Sequence, residues 1–148
     1  MSDGAGIVNT TSRVARCGCG ALTATVRGEP ATVYLCACRN CQIKSGSAFS
    51  YAAVFAADAV TLNGAHNAYR YTGESGRWIE NRFCPACGTA VFFYSEGFPG
   101  MIGIAAGCFA DDAGSAHDAS LTPRRMYWAE RKRDWVGGFE ACEQVARQ

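Results

Sequence analysis

Three groups of closely spaced cysteines constrain this chain more than any other feature: Cys17-Gly-Cys19-Gly, Cys36-Ala-Cys38-Arg-Asn-Cys41 and Cys84-Pro-Ala-Cys87-Gly. Sulfurs at such spacing converge on one tetrahedral ion, and a following glycine lets backbone amides close around the anionic sulfurs without a side-chain clash. Cys17, Cys19, Cys84 and Cys87 can supply one closed four-sulfur site that ties the start of the chain to its middle. Cys36, Cys38 and Cys41 are then left as a set of three. A structural zinc normally has four protein ligands, whereas a catalytic zinc has three and a position open to water or substrate. The ligand count therefore points to a second site with a free corner. His66, His117 or a distant cysteine could close it, and tetrahedral sulfur does not by itself separate zinc from iron–sulfur chemistry.

Disulfides are the competing use of clustered cysteines. Nine is an odd number, and the N-terminus carries Asp3 and lacks the basic, then apolar, pattern of a secretory signal. The expectation is a cytoplasmic protein with reduced thiolates. Cys108 and Cys142 read as unpaired thiols, with Cys142 a candidate for exposure. No run of about 18 apolar residues is present, so no membrane span is expected. A net charge of +1 supplies no bulk field toward nucleic acid or anionic lipid. A charged fraction of only 18% permits a homodimer.

Short segments rich in β-branched and aromatic residues, separated by glycine turns, predict a mainly β single domain of antiparallel strands. Strands are expected at 21–27, 32–35, 49–55, 77–83 and 89–94, with a helical turn at 40–46. Asn63-Gly64 predicts a β-hairpin between residues 60–62 and 68–71. Residues 1–12 read as a flexible lead-in, 13–136 as the zinc-binding domain and 137–148 as a C-terminal tail.

The cysteine groups in this order, with Gly46, Tyr71-Thr72, Arg82-Phe83 before Cys84, Gly107 with Asp111-Asp112, and Pro123 with Trp135, resemble the glutathione-dependent formaldehyde-activating enzyme family, which includes centromere protein V-like domains. The resemblance covers residues 13–136. It implies a β-tent fold with two zinc ions per chain: a structural one on Cys17, Cys19, Cys84 and Cys87, and a catalytic one on Cys36, Cys38 and Cys41. It also implies a carbon–sulfur lyase type of reaction, in which glutathione as co-substrate combines reversibly with formaldehyde. The chain departs from the family pattern at Ala37 and Met126, where many members carry histidine.

Arg39, Lys44, Arg77 and Arg82 lie near the cysteine groups in sequence and are candidates to meet carboxylates of a glutathione-like ligand. Asp111 and Asp112 are an acid–base candidate, although adjacent acids in a glycine-rich loop more often form turns. The segment with Arg124, Arg125, Arg131, Lys132 and Arg133, interleaved with Tyr127, Trp128 and Trp135, could be a nucleic-acid patch, but Glu130 and Asp134 dilute it. Its expected role is a solvated edge strand with the tryptophans packed inward. Phe49, Tyr51, Phe92, Phe93, Tyr94 and Phe98 are expected in the core or a pocket wall. The leading functional expectation is a zinc enzyme acting on a small thiol–aldehyde adduct. The alternatives are a non-catalytic zinc module for protein or nucleic acid, and a relative that uses the open zinc for another small-molecule reaction.

Overall fold

A computed structural model describes residues 11–110, 118–138 and 141–148. Two sheets organise it. The smaller has the order β1-β2-β5, with β1 Ser12–Arg16, β2 Thr23–Arg27 and β5 Val60–Asn63. The larger runs β11-β10-β3-β4-β9-β8-β7-β6. Its strands are β3 Thr32–Cys36, β4 Ser50–Ala56, β6 Asn67–Thr72, β7 Trp78–Phe83, β8 Ala90–Ser95, β9 Met101–Ala105, β10 Arg125–Tyr127 and β11 Glu143–Gln144. All pairings are antiparallel except those of β10 with β3 and with β11. The mainly β expectation is met. Among the described residues no helix is long and apolar enough to cross a membrane.

The middle of the larger sheet is apolar on both faces, which explains why β4 reads as a continuous run rather than an alternation. Successive side chains on a strand point to opposite faces. Ala53 and Phe55 accordingly join Val33, Phe92 and Ile104 in a core shared with Ala15, Ala24 and Val26 of the smaller sheet and with Leu22 just before β2. Ala52 and Val54 face the other way, into a cluster with Tyr34, Phe93, Trp128, Cys36 and Cys38. One face of the sheet thus packs on the smaller sheet, and the opposite face carries the cluster that holds Cys36 and Cys38.

The hairpin expected at Asn63-Gly64 does not form. β5 pairs with β2, and β6 pairs with β7 across the Gly73–Gly76 turn. Val60 and Leu62 pack against the inter-sheet core, and that burial outweighs the local turn preference. Gly64 instead carries the chain from one sheet to the other with φ 106°, so close to Ala21 that a Cβ would lie 2.0 Å from its carbonyl oxygen. Only glycine fits there.

The charged late segment also differs from its expected role. β10 lies between β3 and β11 rather than at an edge, because β11, from the stretch read as a tail, pairs outside it. Trp128 packs inward as expected, but Trp135 is 78% exposed.

Candidate functional site

The first cysteine cluster is assembled from two loops. Cys17 follows β1, and its N–H bonds the Leu22 carbonyl at 3.0 Å while Gly20 N–H returns to the Cys17 carbonyl at 3.1 Å. Cys84 follows β7 in the same way, with its N–H on Thr89 O at 3.0 Å and Gly88 N–H on Cys84 O at 2.8 Å. Each loop turns two sulfurs inward. The four Sγ atoms of Cys17, Cys19, Cys84 and Cys87 lie within 4.8 Å of one another. Cys17 to Cys19 is 3.6 Å and Cys19 to Cys84 is 3.7 Å. Zinc–sulfur bonds of about 2.3 Å at tetrahedral angles place sulfurs roughly 3.8 Å apart, so this set fits such an ion.

Donors are already aimed at these sulfurs. Leu22 N–H points at Cys17 Sγ at 3.2 Å, and the Thr89 hydroxyl lies 3.2 Å from Cys87 Sγ while accepting from Gly18 N–H. The Thr89 hydroxyl and amide push the Cys87 thiol down to about 5. Hydrogen bonds that favour a thiolate also favour its use as a ligand.

The second cluster forms where β3 ends. Cys36 is the last residue of that strand, and Cys38 is the N-cap of helix α1, Arg39–Ser45. The Cys41 N–H points at Cys38 Sγ at 3.4 Å, and Gly46, at φ 62°, closes the helix with its N–H on the Gln42 and Ile43 carbonyls. Gln42 fastens the turn from outside by donating to Ala37 O at 2.8 Å and Arg131 O at 3.3 Å. The Sγ atoms of Cys36, Cys38 and Cys41 lie within 4.8 Å of one another. Among the described residues no histidine or carboxylate joins them. Hydrogen bonds from Cys36 and Cys38 pull the Cys41 thiol down, with a further contribution from the Lys44 charge. A set of three soft donors with a preferred thiolate is suited to zinc.

The three sulfurs border a cavity of about 380 Å³. Tyr34, Phe93, Trp128 and Ala52 are its buried apolar lining, and Phe49, Tyr51, Phe92 and Phe98 complete the walls. The expectation of these aromatics as core or pocket wall is met, while Tyr94 packs on Phe92. Tyr71 and Asn81 also line the space. Burial pushes the Tyr34 and Tyr71 phenols upward, so both keep their protons at neutral pH.

The candidate cations divide. Lys44 and Arg77 line the cavity. The Lys44 ammonium donates to Asn81 Oδ1 at 3.4 Å and lies 5.0 Å from the Phe93 ring centre. Arg82 turns to Glu80 and the Tyr94 ring, and Arg39 lies in a separate open depression with Arg131, Lys132, Arg133 and Trp135. Arg131 pairs with Glu74 and stacks over Trp128, and Arg125 pairs with Glu143. His66 rests edge-on to Phe92 and is no part of either sulfur set. Asp111, Asp112 and His117 lie outside the described residues. Cys142 is buried beside Leu35 and Met126, not exposed, and Cys108 is half-buried.

Asn81 and Trp128 were not legible as cavity residues because they come from segments remote in sequence from residues 36–41. The position of Tyr34 two residues before Cys36, and the place of Tyr71 in the family pattern, were the available signals for the other two.

The fold and its sulfur sets define a class: a mainly β protein with two cysteine clusters able to hold metal ions, one closed by four ligands and one open on an aromatic cavity. The chain belongs to the glutathione-dependent formaldehyde-activating enzyme family, whose profile matches residues 12–131. A crystal structure of a Rhodobacter sphaeroides protein, a structural-genomics target, is similar in fold, with a TM-score of 0.50 and 21% identity over 64% of this chain and 85% of that one. No curated protein matches the chain in sequence.

Proposed function

We propose that the domain of residues 13–136 is a zinc-dependent carbon–sulfur lyase that makes and breaks the adduct of a small thiol, such as glutathione, with an aldehyde. The observation that carries this reading is the three-sulfur set of Cys36, Cys38 and Cys41 bordering a cavity, in a chain whose family is named for glutathione. Cys17, Cys19, Cys84 and Cys87 would hold a structural zinc, and Cys36, Cys38 and Cys41 a second one. Three thiolates leave a zinc ion with one net negative charge, which blunts its activation of water but not its affinity for a further thiolate. Bound there, zinc supplies a low thiol pKa without redox chemistry.

The chain's own residues do the rest. In the forward direction the substrate thiol loses its proton, its sulfur bonds to the aldehyde carbon, the carbonyl π pair moves to oxygen, and that oxygen takes up a proton. No electrons are gained or lost. Lys44, held by Asn81 and the Phe93 face, is a fixed positive charge at the cavity and suits an oxyanion or a substrate carboxylate. The Tyr71 phenol, raised by burial, lines the same cavity beside Asn81. Among the described residues no imidazole joins the three sulfurs, and Ala37 and Met126 are fully buried and apolar.

The test is zinc stoichiometry and thiol–aldehyde exchange in one preparation. Two zinc ions per chain and exchange of S-hydroxymethylglutathione with its components, faster than in buffer and lost in Cys38→Ser, are expected. Exchange that survives Cys38→Ser unchanged would sink the proposal.

A further inference from the structure

We infer that the cavity selects adducts in which the group nearest the three sulfurs is an apolar ring, so that the aldehyde or thiol partner is aryl-bearing rather than formaldehyde alone. The inference rests on the thiol-binding reading of Cys36, Cys38 and Cys41 and adds the substrate class.

The cavity is divided by polarity. Cys36 and Cys38 belong to one buried cluster with Tyr34, Ala52, Phe93 and Trp128, against which Cys41, Ile79 and Phe98 pack. The floor around the sulfurs is therefore mainly aromatic and aliphatic, with the Ser50 hydroxyl at Cys41 and the Tyr71 phenol as its polar groups. Asn81, the buried amide beside it, is already engaged by the Lys44 ammonium. Of the charged lining residues, Arg77 and Glu74 lie at the exposed margin, where Glu74 is bound by Arg131, while Lys44 reaches in from the exposed side to set its ammonium on the Phe93 face.

A peptide-like thiol carries carboxylates, an ammonium and amides. Burying these on the floor without partners is unfavourable, so they belong at the margin, where Lys44 and Arg77 offer charge. What remains for the floor is the carbon substituent next to sulfur. Formaldehyde contributes no such substituent. A ring does, and it meets aromatic walls: Phe98 stacks on Tyr34 at 5.9 Å and 25°, and both line the cavity. Offset-stacked and edge-to-face geometries are those that aromatic ligands extend.

Gly103 keeps the wall in place. It is the cross-strand partner of Phe93, and a Cβ on it would fall 2.1 Å from the ring. The ring occupies that space and is held where it forms both the floor and the seat of the Lys44 ammonium.

The experiment uses the full chain with cobalt in place of zinc, titrated with ethanethiol, 2-phenylethanethiol and glutathione and read by the thiolate-to-cobalt charge-transfer band. Both simple thiols should alter the spectrum, with 2-phenylethanethiol binding at least about tenfold more tightly, as burial of a phenyl ring requires. Phe98→Ala, a half-buried wall residue, should erase most of that preference while two metals per chain are retained. Equal affinity for the two simple thiols, or a preference that survives Phe98→Ala, overturns the ring pocket and leaves thiol binding standing. A spectrum that no thiol changes overturns the thiol reading, and this inference with it.

Discussion

Phe93 of β8 lies across Gly103 of β9, its ring filling the place where any larger residue would put a side chain. The pair joins fold to site, because the same ring carries the Lys44 ammonium on its face and lines the cavity of the three sulfurs. Gly103→Val must displace the ring. We expect a loss of about 1–3 kcal/mol in stability from overpacking, measured as a lowered denaturant midpoint with an unchanged slope, and weakened thiol binding in the same protein.

Gly64 couples the sheet crossing to the four-cysteine cluster. Its backbone abuts Ala21, and the next residue, Leu22, directs its N–H at Cys17 Sγ. Gly64→Ala, strained by both φ and contact, should cost about 2 kcal/mol or more. It should also speed metal loss to a chelator from the four-cysteine site, followed with a chromogenic zinc indicator, while the three-cysteine site is little affected.

Removing ligands should separate the two centres. Cys84→Ser takes away a buried sulfur that ties β7 to the start of the chain, so the protein is expected to lose one zinc and unfold cooperatively at a much lower temperature. Cys38→Ser is expected to lose the other zinc and retain the far-ultraviolet circular dichroism of the parent. Metal analysis with thermal melts checks both, and a Cys84→Ser protein as stable as the parent would contradict the structural assignment.

Arg13, 3% exposed, links β1 to the far segment through Asp118 at 2.7 Å and the Ser120 hydroxyl at 2.5 Å. The hydrogen bonds from Arg13, then Ser120, hold the Asp118 carboxyl down to about 2 against an ordinary 3.8. A carboxyl depressed in the folded state binds fewer protons there than in the unfolded chain, so its stabilisation is complete above about pH 4 and fades as pH falls toward 2. Asp118→Asn should therefore melt lower than the parent at pH 5, with the gap closing as the pH is lowered to 2. A gap independent of pH would show that the ion pair is not its source.

Lys44 is the cation whose position the cavity defines. Lys44→Met, which keeps length and apolar volume, should raise KM for an anionic thiol by about tenfold and leave melting temperature within a few degrees. Lys44→Arg should restore part of the loss, since charge rather than shape is what the site uses.

The cysteine groups, the strands around them and the mainly β class were readable from local spacing, because a two-residue cysteine loop and a β-branched run are stabilised mainly by neighbours in sequence. Helix α1 was legible for the same reason: Cys38 caps its start and Gly46 its end. The partition of seven cysteines into four and three follows from ligand arithmetic, and the sulfurs do gather in those two groups.

Other features depended on which strands meet. Asn63-Gly64 carries a hairpin signal, yet Val60 and Leu62 gain more by packing under β2 than β5 would gain by pairing with β6. Trp128 and Trp135 look equivalent in sequence, but one closes the cavity and the other faces solvent. The aromatic wall is drawn from β3, β4, β6, β8 and the segments after β8 and β10, and the two faces of one sheet part most of its side chains between core and cavity. Chain-local chemistry determined where sulfur could hold a metal. Long-range burial decided that the three-sulfur set would open on an aromatic floor, since apolar area is removed from water only by strands that sequence keeps far apart.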